Sequence, residues 1–241
     1  MEEHRAVDHE PSAALFRVLF IGTRDVCRGP AGERLLRAWL EAGHAGDAFI
    51  VSSAGTRPVA GEPMHPQASA ALSALSVDVA GHGSRRMTER RLAQADLVLT
   101  ATRMHRAAIH DQFPGAEHRT FTVREFARLL GQVRDPLARE GTSSPLAIPP
   151  ADAGPHALVT AAAVLRREPA VRRSVDRGNG GSGHTAGGSA DGSGDSGPED
   201  HGDDIDDPTG GSHAEYEQVV AMLNEATREI ARALIACLAR A

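Results

Sequence analysis

Short apolar runs alternate with helical patterns over roughly the first half of the chain. The apolar runs have the length of buried strands, and the segments between them repeat apolar residues at helical spacing. Strands are predicted at Phe16–Ile21, Phe49–Val51, Asp96–Thr100 and Thr120–Thr122. Helices are predicted from Pro30 to Gly43, at Pro66–Leu75, from Arg103 onward and at Arg124–Leu130. This alternation indicates an α/β fold, a three-layer sandwich with a four-stranded parallel sheet between helices.

The pattern breaks in the second half of the chain. Residues 137–202 are rich in Pro, Gly, Ser and Asp, which predicts a low-complexity, largely disordered insert before the C-terminal helix. Within it, His156–Arg167 favours a helix. Helical periodicity returns at Ala214–Leu238, which we predict to be one amphipathic helix. The predicted organisation is a flexible N-terminus at 1–14, one domain formed by 15–136 and 203–241, and the insert at 137–202.

Composition and charge argue against several classes of function. The net charge is −6, and no basic stripe with interleaved aromatic residues occurs, so nucleic-acid binding is not predicted. The apolar run Leu15–Ile21 is too short to cross a bilayer. The two cysteines, Cys27 and Cys237, form no C-x-x-C motif, which fits a cytoplasmic protein without a disulfide framework. Because the histidines lack H-x-x-x-H spacing, neither a metal site nor a cofactor is predicted.

The segment Val18–Pro30 combines a strand, a tight loop and the start of a helix. Backbone N–H groups in such a loop point inward, and the N-terminus of the helix adds positive potential, so the arrangement is suited to binding phosphate. Arg28 stands at the end of the loop, where its planar guanidinium can bind a phosphoryl group with two hydrogen bonds. The predicted phosphate loop consists of Gly22, Thr23, Arg24, Asp25, Val26, Cys27, Arg28 and Gly29.

This segment resembles the phosphate loop of the low-molecular-weight protein tyrosine phosphatase family. The family has a strand followed by C-x5-R and Ser-Pro, and the chain has I-G-T-R-D-V-C-R-G-P. Arg28 then matches the phosphate-binding arginine, and Gly22 stands at the position of the nucleophilic cysteine. Asp207, followed by Pro208, matches the general acid of the family's Asp-Pro loop. Further matches are Ser53–Thr56, Gly61–Pro66 and Ala95–Thr100, and the resemblance covers roughly residues 16–133 and 203–238.

The resemblance implies phosphomonoester hydrolysis through a phosphocysteine. In that reaction a thiolate attacks phosphorus, and Gly22 has no side chain that could do so. Three further loop residues depart from the family pattern: Arg24 replaces a glycine, Asp25 an asparagine and Gly29 a serine that bonds the thiolate. We therefore expect a phosphatase-like protein that is catalytically inactive or strongly impaired.

Two other interpretations fit the sequence. An active phosphatase could use an atypical nucleophile, either Cys27 or an activated water, because Arg28 and Asp207 are both present. Alternatively, a partner-binding protein could act through the acidic insert. Asp207 itself is interpreted either as a general acid or as part of an Asp-Pro turn in an acidic stretch. In the enzymatic interpretations the partner is a phosphorylated protein or a small phosphomonoester; no feature predicts an oligomeric state.

Overall fold

The computed structural model describes residues 15–134, 154–167 and 201–238. At its centre is a four-stranded parallel sheet with the strand order β2-β1-β3-β4. The strands are β1 (Phe16–Gly22), β2 (Phe49–Gly55), β3 (Leu97–Thr100) and β4 (Thr120–Thr122). The four predicted strands are confirmed, and β2 continues beyond its predicted end.

Helices lie on both faces of this sheet. They are α1 (Arg28–Ala42), α2 (Pro66–Ala74), α3 (Glu89–Gln94), α4 (Arg103–Gln112), α5 (Val123–Arg134), α6 (Pro155–Arg167) and α7 (His213–Leu238). Alternate side chains of β1 point to opposite faces, as the pleat of a strand requires. Phe16, Val18 and Phe20 join a large core with α1, α5 and α7. Leu19 and Ile21 join a smaller core with residues of α3 and α4, so the predicted three-layer sandwich is confirmed.

Close packing fixes the position of α1 between the sheet and α7. Gly32 faces β1, where a Cβ atom would lie only 2.5 Å from the ring of Phe20, so this contact depends on glycine. On the other side of α1, the indole N–H of Trp39 donates to Asn224 Oδ1 of α7 at 2.9 Å. Since α1 begins at the predicted phosphate loop, these contacts also fix one end of that loop.

Part of the insert is folded into the core. The helix predicted at His156–Arg167 is confirmed as α6, and it packs against α5. Leu158 and Ala162 of this helix are almost fully buried. A deletion that tests the partner-binding interpretation of the insert therefore has to spare α6.

The remaining elements were either not predicted or cannot be compared. The helix α3 is too short for a periodic pattern, and its start is fixed by Thr88, whose Oγ1 accepts from the Arg91 N–H at 3.3 Å. The predictions of a flexible N-terminus at 1–14 and of disorder in most of 137–202 fall outside the described residues. Within the described ranges, no helix has the length and apolarity needed to cross a membrane.

Candidate functional site

The predicted phosphate loop lies at the carboxyl edge of the sheet. The strand β1 ends at Gly22, and α1 begins at Arg28. The loop is tied to the segment after β2, because the N–H of Thr56 donates to the carbonyl of Gly22 at 3.0 Å. Gly55 permits this approach, since a Cβ atom there would lie 2.6 Å from the carbonyl oxygen of Thr23. Ligands of open parallel sheets bind at this edge, so the loop is placed where a ligand is expected.

Gly22 has room for a side chain that the sequence does not supply. Outside its immediate chain neighbours, a Cβ atom on Gly22 would come no closer than 3.7 Å to another atom, the backbone nitrogen of Gly29. Gly22 is also not one of the glycines with a positive φ angle. The backbone at this position therefore accepts a Cβ atom without strain.

Arg28 is bound by the acidic loop that precedes α7. Its side chain is only 6% exposed, and Nη1 donates to the carbonyl of Ile205 at 2.9 Å. Nη2 donates to Asp207 Oδ2 at 2.5 Å and more weakly to Thr23 Oγ1 at 3.4 Å. The cavity left inside the loop has a volume of about 10 Å³, which is the space of roughly one water molecule. The structure thus brings Arg28 and Asp207 together, and a phosphoryl group does not fit beside them.

Asp207 uses one carboxylate oxygen for the turn and the other for Arg28. Oδ1 accepts from the N–H of Thr209 at 3.1 Å and from its hydroxyl at 2.7 Å. Burial alone would raise the pKa of the Asp207 carboxyl, but the Thr209 hydrogen bonds and the charge of Arg28 outweigh it and lower the pKa below its usual value. Asp207 is therefore a carboxylate at neutral pH and carries no proton for a leaving group.

The stretch before Asp207 is fixed by arginines from other elements. Ile205 is fully buried, and its N–H donates to the carbonyl of Ala101 at 2.9 Å. The neighbouring carboxylates form ion pairs with side chains of α4 and α5. The pairs are Asp204–Arg103 at 3.4 Å and Asp203–Arg128 at 2.7 Å. These contacts hold the segment before Asp207 in place and so fix the position of Asp207 beside the phosphate loop.

Cys27 is a buried thiol and not a thiolate. Burial raises its pKa to about 12, the negative charge of Asp207 adds to the increase, and the nearby Arg28 opposes it. Since the thiolate is the nucleophilic form, the environment disfavours the interpretation of Cys27 as an atypical nucleophile.

Asp25 is a buried carboxylate that lacks a partner for one oxygen. Its Oδ2 accepts from the N–H of Arg85 at 2.9 Å, and the Nε2–H of His82 donates to its backbone carbonyl at 2.7 Å. Its Oδ1 is buried without a hydrogen-bond partner in the described part of the chain. Burial raises the pKa of the Asp25 carboxyl above its ordinary value, although the Arg85 hydrogen bond opposes this. A buried carboxylate in such a setting destabilises the fold when it is ionised.

The variant Asp25→Asn is expected to be more stable than the natural protein at neutral pH. Because the pKa of Asp25 is raised in the folded state, the folded protein binds the Asp25 proton more tightly than the unfolded chain does. The resulting stabilisation is fully present below the ordinary pKa of 3.8 and is lost as pH rises through the folded-state pKa. The asparagine variant lacks this loss, and we expect it to gain about 1–2 kcal/mol in the free energy of unfolding. Urea unfolding across a pH series measures the effect. The exposed control Asp47→Asn should leave the pH dependence unchanged, and an Asp25→Asn variant with the natural pH dependence would contradict the prediction.

The segment Gly61–Pro66 contacts the loop on a further side. Arg24 Nη2 forms an ion pair with Glu62 at 2.5 Å, and the Arg24 side chain is about half exposed. The N–H of His65 donates to the carbonyl of Val26 at 2.7 Å. The same segment matches the phosphatase family in sequence, and its direct contacts with the phosphate loop explain why the two motifs occur together.

His105 is a residue of the site that the sequence did not single out. Its Nε2 lies 2.9 Å from Thr23 Oγ1, and its Nδ1 lies 2.7 Å from Thr102 Oγ1. Burial lowers the pKa of His105 to about 4, and the positive charge of Arg28 contributes to the decrease. The imidazole is therefore neutral at neutral pH and adds no charge to the loop. In the sequence, the only indication of a role for His105 is its position shortly after β3, at the carboxyl edge of the sheet.

Comparisons with known proteins agree with this arrangement. The family model for low molecular weight phosphotyrosine protein phosphatase matches residues 17–144. Over 98 residues the chain is 31% identical to the low molecular weight protein-tyrosine-phosphatase Wzb of Salmonella typhi, an alignment that covers 41% of this chain and 62% of Wzb, less than two thirds of its length. Over 121 residues it is 32% identical to the protein-arginine-phosphatase of Bacillus subtilis, covering 50% of this chain and 79% of that protein.

Solved structures show the same fold. A YwlE mutant from Bacillus subtilis superposes with a TM-score of 0.56 at 21% identity, covering 90% of this chain and 97% of that one. The tyrosine phosphatase amsI of Erwinia amylovora superposes with a TM-score of 0.56 at 16% identity, covering 94% and 97%. At these identities the likeness establishes the fold alone.

Proposed function

Because the chain belongs to the low molecular weight phosphotyrosine protein phosphatase family, we propose that it is a member that has lost the phosphocysteine reaction. The observation that carries this proposal is the lack of any side chain at Gly22, in a loop whose arginine is already bound by Asp207. Glycine offers no atom to which a phosphoryl group could be transferred, so the first step of the family reaction has no nucleophile.

The other groups of the loop support the same proposal. Asp207 is ionised and has no proton to give to a leaving oxygen. Arg28 already donates to Asp207, so a phosphoryl group has to displace that carboxylate before it can bind. In other enzymes the loss of a nucleophile lowers the rate on the order of 10⁶-fold, and we expect a loss of similar size here.

The ligand that we propose for the loop, once Asp207 is displaced, is a phosphorylated protein or a small phosphomonoester that is bound without turnover. This class follows from the relatives, which are named as a protein-tyrosine-phosphatase and a protein-arginine-phosphatase. Tyr216, the one tyrosine of the chain, is buried and stacks on His65 with ring centroids 4.7 Å apart, so it provides no exposed aromatic surface for a phenyl ring. A cytoplasmic location stays a prediction.

A second candidate function is direct hydrolysis by water, and Asp25 is the observation that favours it. A Cβ atom on Gly29 would lie 3.1 Å from Asp25 Oδ1 and 3.8 Å from the nitrogen of Gly22. Asp25 Oδ1 therefore lies beside both glycine positions without a hydrogen-bond partner among the described residues, and it is the group that would accept a proton from a water entering the loop. Attack by that water would form a new P–O bond, pass one proton to Asp25 and break the bond to the leaving oxygen, which departs as an anion and takes a proton from solvent, without a phosphoenzyme.

Hydrolysis of p-nitrophenyl phosphate separates these proposals. The natural protein is expected to release no more p-nitrophenol than a heat-denatured sample. Turnover that copurifies with the folded protein would contradict the inactive assignment. If that turnover disappeared in Asp25→Asn and persisted in Cys27→Ser, it would support hydrolysis by water instead.

Neither cysteine is expected to react with a thiol reagent while the protein is folded. Cys27 and Cys237 are both buried, and the thiol of Cys27 stays protonated far above neutral pH. Iodoacetamide labelling followed by peptide mapping should find no adduct on the native protein and two labelled cysteines after unfolding. Rapid labelling of Cys27 in the folded protein would show a reactive thiolate and would favour Cys27 as the nucleophile.

A further inference from the structure

A second cleft, separate from the phosphate loop, lies between α4 and α6. Its volume is about 680 Å³, which falls within the range of roughly 300–1,000 Å³ found for small-molecule sites. One face of α4 lines it with Arg103, Arg106 and His110, and α6 contributes Arg166. Thr120, at the start of β4, also lines the cleft. Four cationic or titratable nitrogen-bearing side chains therefore converge on one space.

Arg166 forms no ion pair with a carboxylate among the described residues. Its Nη1 donates to the carbonyl of Thr120 at 2.6 Å, and its Nη2 donates to the carbonyl of Glu117 at 2.9 Å. Burial lowers the pKa of Arg166; Glu125 opposes this decrease, and the positive charge of Arg106 adds to it. An anion placed beside Arg166 would relieve both the burial of its charge and the repulsion from Arg106.

The other cationic groups of the cleft lie near carboxylates. The pairs are Arg103–Asp204, Arg106–Glu125 and His110–Glu117. The carboxylates that themselves line the cleft are Asp204 and Glu117. The Glu117 side chain is half exposed and lies 3.6 Å from His110, so it can turn toward solvent when an anion enters. The His110–Glu117 pair is exposed and weak, whereas Arg106 keeps its close contact with Glu125 at 2.5 Å, so a ligand has to use the remaining N–H groups of Arg106 and Arg166.

We propose that this cleft binds a small polyanion through Arg106 and Arg166. Guanidinium groups bind phosphate and carboxylate groups with paired hydrogen bonds, so the ligand class is a small molecule with two or more such groups. Met104, which is 80% exposed, and Ala107 add an apolar surface for the rest of the ligand. No residue of the phosphate loop lines this cleft, and Arg166 lies outside the segments that resemble the phosphatase family, so the proposed site does not depend on the proposed loss of activity.

Calorimetric titration of the full chain with inorganic pyrophosphate and with citrate tests this site. Saturable binding of either anion is expected, and the tighter of the two identifies the preferred group. Met104→Glu places a negative charge at the cleft and is expected to weaken binding about tenfold. The control Leu75→Glu makes the same change at a 47% exposed leucine outside the cleft and should change the affinity by less than about twofold.

A further variant separates this cleft from the phosphate loop. Asp207→Asn is expected to free Arg28, and it should add a second binding site without weakening the first. The proposal is overturned if neither anion binds at millimolar concentration. It is also overturned if binding is insensitive to Met104→Glu, since the anion would then be bound elsewhere.

Discussion

Restoring the four family residues of the phosphate loop is expected to produce a measurable phosphatase. The variant combines Gly22→Cys, Arg24→Gly, Asp25→Asn and Gly29→Ser. We expect its rate of p-nitrophenyl phosphate hydrolysis to exceed that of the natural protein on the order of 10³-fold or more, because a nucleophile accounts for up to about 10⁶-fold in other enzymes. The gain should fall short of that value, and KM should be high, since Asp207 still competes with the substrate for Arg28.

The geometry of the loop explains why the four changes belong together. A Cβ atom at Gly22 would come no closer than 3.7 Å to another atom outside its chain neighbours, so the backbone accepts Gly22→Cys without the other changes. A Cβ atom at Gly29 lies 3.1 Å from Asp25 Oδ1, so Gly29→Ser is accommodated best when Asp25 is changed with it. The matched control carries the other three substitutions but keeps Gly22, and it should be as inactive as the natural protein. A repaired protein that folds with a normal Tm and shows no turnover would mean that more than the loop is disabled.

Replacing Asp207 with asparagine is expected to raise the affinity of the loop for inorganic phosphate about tenfold or more. The natural carboxylate accepts a charge-assisted hydrogen bond from Arg28 at 2.5 Å, an interaction worth about 1.5–3 kcal/mol in typical proteins. A phosphate ion has to break that bond to enter, whereas the neutral amide competes weakly. Titration followed by NMR at constant ionic strength measures the change.

The neighbouring Asp206 provides the matched control for this prediction. It is exposed and has the same charge, so Asp206→Asn changes the net charge equally without touching Arg28. We expect its phosphate affinity to stay close to that of the natural protein. Equal gains in both variants would point to a general effect of charge, and no gain in either would show that Asp207 does not keep the loop closed.

Much of the fold could be predicted because its determinants are local. The apolar residues of β1 stand within one short run of the sequence, as do those of β3, and the alternation of such runs with helical patterns implies a parallel sheet. The loop was also predictable, since a strand, a short loop and a helix start are adjacent in the chain. Even α6 had a helical pattern, although its burial against α5 was not predicted.

The closed state of the site depends on contacts between distant segments, and no local pattern encodes them. Arg28 and Asp207 are 179 positions apart, so their ion pair follows from the tertiary fold. The same holds for Asp25, whose carboxylate is bonded by the backbone of Arg85, and for His105, which reaches the loop from α4. The sequence predicted that Asp25 was unusual in this loop, but its burial determines the direction of its pKa shift.

Whether a phosphoryl group ever becomes covalently attached to this protein tests the account most directly. The natural protein and the repaired variant are each mixed with p-nitrophenyl phosphate, quenched within the first turnover and measured by intact-mass spectrometry with peptide mapping. We expect no adduct on the natural protein and a phosphoryl group on the repaired variant, in the peptide that contains position 22. A phosphoryl adduct on the natural protein, at Cys27 or at any other residue of the loop, would contradict it.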